Sequence, residues 1–232
     1  MPADGIRGDH AQASVGRNSE IIIGNAIGGR SRHRVDQENR MITTEKFKFI
    51  KEKYGLHASW AVWAHAGDRP KSNMGDLSIF GKPNIELELN SEIVLVPLNF
   101  SVSGVVIRPF QNFHGTGGGA YKIRYALQDT PFWGAYMTDI IKDFPEKESG
   151  KMMSYLRKNR SFEEENANRF RKELQDLGST ISTLVAFGND VFSILNRNFK
   201  GEFNVLKVPH YSAYTNKETY REQVREAMAK FA

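Results

Sequence analysis

The sequence contains no cysteine. That absence excludes disulfide scaffolds, thiolate nucleophiles, cysteine-ligated zinc and iron–sulfur clusters, and it fits a reducing cytoplasm without requiring one. No apolar run approaches the roughly 18 residues of a membrane span, and the mean hydropathy is -0.50. No basic segment followed by an apolar stretch opens the chain, so neither a secretory leader nor a membrane partner is expected. Aromatic residues are missing from residues 1–40, whose only apolar run is Ile21-Ile22-Ile23. Gly5, Gly8, Gly16, Gly24, Gly28 and Gly29 all fall there. Such a segment cannot bury enough surface to offset the entropy of ordering it, so a disordered N-terminal tail is expected over 1–40. Its basic end, Arg30 to Arg40, could touch phosphates or simply be solvated.

What is present is enough for one large α/β domain over residues 41–232. The chain has 232 residues, 40% of them apolar and 11% aromatic, which suffices for a real hydrophobic core. Lys and Arg number 32 against 27 Asp and Glu, a net charge of +5, with an isoelectric point near 9.3. This balance suits a protein that meets a polyanion such as DNA, although ordinary soluble proteins share it.

Hydrophobic periodicity alternates between strand and helix from Met41 onward. Thr43 or Thr44 caps a helix with Phe47, Ile50 and Tyr54 on one face, ended by Gly55. Trp60 to Ala64 reads as a short strand. Ile85, Leu87 and Leu89 alternate with Glu86 and Glu88 as in a half-exposed strand. Ile93 to Leu98 is a continuous apolar run, as in a strand buried on both faces of a parallel sheet. The loop Gly115 to Gly119 lacks the GxxxxGK[ST] spacing of a phosphate-cradling loop and leads into a helix bearing Ile123, Tyr125 and Leu127. Ala135 to Ile141 is another strand, Lys147 to Arg160 a basic loop, and Ser161 with Glu164 the capping box of a helix that stops at Gly178. A strand Thr183 to Phe187, a helix Asp190 to Leu195, a strand Val205 to Val208 and a helix Lys217 to Phe231 complete the pattern. The implied fold is a three-layer α/β/α sandwich around a mainly parallel sheet. Ligands in such sheets sit beyond the carboxyl ends of the strands, which directs attention to Asn99, Asp139, Gly188 and His210.

Four segments at those ends resemble the uracil-DNA glycosylase superfamily. They are Val94-Leu95-Val96-Pro97-Leu98-Asn99-Phe100-Ser101, Tyr136-Met137-Thr138-Asp139-Ile140-Ile141-Lys142, Leu184-Val185-Ala186-Phe187-Gly188-Asn189 and Lys207-Val208-Pro209-His210-Tyr211-Ser212. Their order and spacing agree with the superfamily over roughly residues 90–215. The resemblance implies a monofunctional DNA glycosylase, acting as a cytoplasmic monomer without metal or cofactor. It would hydrolyse the N-glycosidic bond of a base flipped out of the helix. Asn99 would position the attacking water and His210 would donate to the base O2 as charge gathers there. Phe110, with Phe113 as runner-up, would stack on the base. Ser212, Lys151, Arg157, Lys158 and Arg160 would contact phosphates.

Each of these residues also has a structural reading. Asn99 could form a turn, His210 could pack as a buried imidazole, and Asp139 could pair with Lys142. The two phenylalanines could be core, and the cations a solvated face.

Two departures from the superfamily pattern point to the substrate. Asp139 stands where the uracil-directed enzymes carry an Asn that reads the base. An ionised carboxylate only accepts hydrogen bonds, which suits the N4 amino group of cytosine, and a protonated one could also donate to the cytosine N3. Ser101 stands where the most uracil-selective members place a Tyr against the base C5, which leaves room for a substituent. Together these imply a cytosine-type base modified at C5, hydroxymethylated or glucosylated, in phage DNA. That selectivity resembles an antiphage member of the superfamily and would spare host DNA. The competing readings are a uracil or mismatch repair glycosylase and a non-catalytic nucleic-acid-binding module on the same fold.

Overall fold

The computed structural model describes residues 42–100, 108–115, 117, 119–142, 144–178 and 180–230. The tail expected over 1–40 lies outside the described residues, as does Ser101. Among the described residues the chain order is α1 (Thr44–Tyr54), β1 (Ala58–Trp60), two short 3-10 turns (Leu77–Gly81 and Ile85–Glu88) and β2 (Asn90–Val96). Then come α2 (Ala120–Leu127), β3 (Ala135–Thr138), α3 (Ser149–Lys158), α4 (Arg160–Leu177), β4 (Thr183–Phe187), α5 (Asn189–Phe199), β5 (Asn204–Val208) and α6 (Lys217–Ala229). The sheet runs β1-β3-β2-β4-β5. Only β1 is antiparallel to its neighbour, pairing Ala58 with Thr138 and Trp60 with Tyr136. The pairs β2–β3, β2–β4 and β4–β5 are parallel.

Successive side chains of a strand point to opposite faces, and both faces of this sheet are covered. Val94, Val96, Tyr136, Leu184 and Ala186 pack against α1, α3, α4 and α5 through residues such as Ile50, Leu156, Phe170 and Ile194. Leu95, Met137, Val185, Phe187 and Leu206 pack on the other side against α2 and α6 through Ile123, Leu127, Tyr220 and Val224. The result is a mostly parallel sheet between two helical layers. Burial on both faces is why Val94, Leu95 and Val96 form an unbroken apolar run, each fully buried.

Four expected features differ. The short strand expected over Trp60 to Ala64 lies earlier, at Ala58–Trp60, and residues 61–64 are not in a strand. The half-exposed strand over Ile85 to Leu89 is a 3-10 turn, Ile85–Glu88, closed by Leu87 N–H to Asn84 O at 3.1 Å and Leu89 N–H to Glu86 O at 3.3 Å. Ile85 and Leu89 are buried while Leu87 is exposed, a spacing that one helical turn satisfies as well as an alternating strand does. The basic loop over Lys147 to Arg160 contains α3. Its buried Met152 and Leu156 sit four residues apart and dock it, while the cations occupy the solvent face. The capping box at Ser161 is not formed. The helix α4 already begins at Arg160, after an Asn159 that makes no side-chain cap, and Ser161 lies within the helix.

Candidate active site

The chain leaves β2 and β3 side by side. Ile140 N–H donates to Pro97 O at 3.1 Å and Ile141 N–H to Leu98 O at 2.9 Å, and Asn99 bridges to Ile141 in parallel register. Asn99 and Asp139 therefore emerge from neighbouring strands. On the other side of β2, Gly188 and His210 follow β4 and β5. The Gly188 N–H donates to Val208 O at 2.9 Å, and a Cβ on Gly188 would lie 3.5 Å from the His210 Cβ. This glycine adopts φ 90°, so the turn can pass beside His210 without crowding it.

The Asn99 amide is held by the loop after β3. Its Nδ2 donates to Phe144 O at 3.0 Å, to Glu146 O at 2.8 Å and to Phe100 O at 3.2 Å. These carbonyls can only accept, so they fix the amide nitrogen inward, and among the described residues Oδ1 of the half-buried side chain, an acceptor, has no partner. Asn99 is more than a turn residue: it ties two segments of the strand-end loops together and still presents one oxygen.

Asp139 is 4% exposed. Its Oδ2 accepts from Asn112 Nδ2 at 3.2 Å, and its Oδ1 is buried with no hydrogen-bond partner. The pairing with Lys142 that the sequence left open does not occur. Lys142 Nζ donates instead to the main-chain oxygen of Asp139 at 2.7 Å and to Thr138 Oγ1, and pairs with Glu173 Oε2 at 2.8 Å. Two of these contacts are hydrogen bonds and the third is an ion pair, with Glu173 Oε2 accepting no hydrogen bond. Burial raises the Asp139 carboxyl to about 7, aided by the negative Glu173, against the opposing pull of Lys142 and the Asn112 bond. A buried carboxyl with one unpaired oxygen is costly to keep, and such costs concentrate at functional sites.

His210 has a defined tautomer. Its Nδ1 lies 3.2 Å from the Ser212 main-chain N–H and 2.7 Å from Ser212 Oγ. A main-chain N–H can only donate, so Nδ1 accepts and the proton of the neutral ring sits on Nε2. Burial and the nearby Lys122 lower the His210 pKa, while Asp190 opposes them. The site thus offers a neutral imidazole N–H. The exposed Ser212 orients this ring through its main-chain N–H and its hydroxyl.

Tyr211 connects the two ends of the site. Its ring stacks on His210 at 4.4 Å and 24°, and meets Phe187 edge-on at 5.5 Å. Burial raises its hydroxyl pKa, and the charge of Asp139 raises it further, so the two groups are electrostatic neighbours. The polar side chains after β2, β3 and β5 all follow the carboxyl ends of parallel strands of one sheet.

No family model and no curated protein matches this chain.

Phe110 is a correction. It is fully buried, within 5.5 Å of Phe47 and 4.8 Å of Phe80 ring to ring, so its faces are spent in the core and it offers no platform for a base. Phe113 keeps a half-buried ring against the opposite core. The cations Lys151, Arg157 and Lys158 lie on the exposed face of α3, whose preceding loop supplies the carbonyls held by Asn99, and Arg160 opens α4. Lys151 pairs with Glu148 and Arg160 with Glu163. The side chains that sequence reading overlooked are Asn112, Lys122, Tyr211 and Tyr214. Lys122 is buried on α2 and donates to Ala213 O at 2.8 Å and Thr215 O at 3.2 Å, which pins the loop after His210. Tyr214, in that same loop, has a fully exposed ring. The partners of Asn112 and Lys122 are remote in sequence, so no local pattern announces those two. Among the described residues no cluster of His, Asp and Glu could hold a metal ion, and no helix is long and apolar enough to cross a membrane.

Proposed function

We propose that this chain is a monofunctional DNA glycosylase of the uracil-DNA glycosylase type that hydrolyses the bond between deoxyribose and a flipped-out, cytosine-type base. The observation that carries the reading is the unpaired, buried Oδ1 of Asp139 at the carboxyl end of β3. A base sliding into that region would complete the carboxyl's hydrogen bonding and receive the His210 Nε2–H at its O2. The roles follow from charge. As the glycosidic bond breaks, the sugar becomes an oxocarbenium-like cation and the base gathers negative charge. A neutral N–H donor stabilises that base without protonating it beforehand. Asn99 Oδ1 accepts a hydrogen bond from the water that attacks the sugar; a neutral amide orients this water rather than deprotonating it, which suffices against so reactive a cation.

Water is the nucleophile in this reading because both nearby lysines are tied down, Lys142 by Thr138 Oγ1, the Asp139 main-chain oxygen and the Glu173 carboxylate, and Lys122 by Ala213 O and Thr215 O. The exposed Tyr214 ring, on a loop pinned by Lys122, is suited to fill the gap that an extruded base leaves in the stack. Asp139 in place of an amide favours the N3/N4 edge of cytosine, and the small Ser101 favours a C5 substituent. DNA of phages that carry hydroxymethylated or glucosylated cytosine is therefore the proposed substrate, and antiviral defence the proposed purpose.

The test is release of free base. Purified protein is incubated with DNAs containing cytosine, 5-hydroxymethylcytosine, its glucosylated form or uracil, and the released base is identified by mass spectrometry alongside a count of abasic sites. Release of a modified cytosine, lost in Asn99→Ala and His210→Ala with folding retained, is the expected result. Preferential release of uracil would leave a repair glycosylase, and no release from any DNA would leave a non-catalytic binding module.

A further inference from the structure

Asn112 lies in a segment, residues 108–115, that runs beside β1 in the same direction and is fastened to it repeatedly. Phe110 N–H donates to Gly55 O at 2.6 Å, Ser59 Oγ to Phe110 O at 3.0 Å and Asn112 Nδ2 to His57 O at 2.9 Å, and His114 Nε2 sits 3.3 Å from Trp60 O. On either side of Asn112, Phe110 and Phe113 are held at φ 65° and 69°, a conformation that residues with a Cβ adopt reluctantly. The segment is strained and anchored so that the Asn112 side chain, itself buried, reaches Asp139.

The two hydrogens of the Asn112 amide are both assigned. His57 O can only accept, so the nitrogen end of the amide is the end that faces Asp139 Oδ2. Oδ2 therefore accepts whatever the protonation state of the acid. A carbonyl oxygen accepts an N–H better than a hydroxyl oxygen does, so the proton of a neutral Asp139 resides on Oδ1, the oxygen left without a partner.

We propose that Asn112 is a positioning residue for base recognition, holding Asp139 so that Oδ1 donates its O–H to an acceptor atom of the bound base, in a cytosine-type base the N3 lone pair. The inference rests on the glycosylase reading above and deepens it. A base that brings an N–H to the same point, as uracil does with N3, would meet the O–H donor to donor. The charged and titratable groups around Asp139 are Lys142 on its own loop, Glu173 from α4 and Tyr211 from the loop after β5. Burial and Glu173 outweigh Lys142 and the Asn112 bond, which places the carboxyl at about 7.

The test compares kcat/KM for release of the cytosine-type base and of uracil as pH is raised through neutrality, in the wild type, Asn112→Ala, Asn112→Asp and Asp139→Asn. For the cytosine-type base the wild-type value falls as pH rises through about 7. Asn112→Ala lowers kcat/KM about tenfold and moves this alkaline limb upward, because the bond it removes favours the ionised acid. Asn112→Asp, which keeps the side-chain volume, moves the limb further in the same direction, and Asp139→Asn abolishes it. Base release with an unmoved limb in both Asn112 variants would show that Asn112 merely holds the loop, and would overturn the inference alone. So would uracil released better than the cytosine-type base below the limb. No base released from any DNA by the wild type would overturn the glycosylase reading, and this inference with it.

Discussion

Asp139 weakens the folded state. Its folded pKa of about 7 lies above the 3.8 of a free side chain, so between those values the native protein binds a proton that the unfolded chain has released. Stability from this group is thus present below about pH 4 and is lost as pH rises through 7. Asp139→Asn is expected to stabilise the protein at pH 8, by on the order of 2–4 kcal/mol, and by little at pH 4. Urea denaturation at the two pH values measures the difference, and an equal effect at both would contradict the burial argument. His114 behaves in the opposite sense. Burial lowers it from 6.5 to about 4, so stability is present above about 6.5 and is lost as pH falls towards 4. This acid sensitivity should disappear in His114→Gln, seen as a flatter melting temperature against pH. His210→Ala should cost roughly 10²–10³ in kcat, the usual effect of deleting one preorganised donor. Ser212→Ala, which only frees the ring to turn, should cost less.

The loop after β5 is placed by α2. Gly119, with φ 89°, precedes that helix, and a Cβ there would sit 2.8 Å from the Tyr211 carbonyl oxygen, inside any tolerable contact. Lys122 then clamps Ala213 and Thr215 from the first turn of the same helix. Gly119→Ala is expected to destabilise the protein by roughly 1–2 kcal/mol through backbone strain. It should also reduce base release beyond what the lowered melting temperature explains, since the displaced atoms belong to the segment that carries His210. The glycine-rich stretch is readable as a connector into a helix, but not as the seat of Tyr211, because that residue is remote along the chain. Helix α3 shows the converse. Its cations dominate the local composition, and only the docking of Met152 and Leu156 reveals why the segment is helical. The strands are the easiest elements to foresee, since a parallel strand buried on both faces must be an apolar run.

The whole molecule carries +5, a balance that DNA-binding proteins share with many others. Under the proposed function, affinity for DNA should fall steeply between low and physiological salt. Replacing Arg157 and Lys158 by Glu should reduce the salt slope by about one for each phosphate no longer neutralised, a measurement made by fluorescence anisotropy. Tyr214→Ala should impair release from duplex DNA more than from single strands, because only a duplex needs its gap filled.

The order of residues along the chain was enough to set the alternation of apolar strands and amphipathic helices, the absence of thiol chemistry, and which polar residues stand at the strand ends. Those properties follow from local periodicity and from what each side chain can do. It took the packed fold to pair Lys142 with Glu173 rather than with the Asp139 carboxylate, to commit Phe110 to the core, and to bring Asn112 to Asp139. Hydrogen bonds and burial between segments tens of residues apart set those outcomes, and no local pattern encodes them.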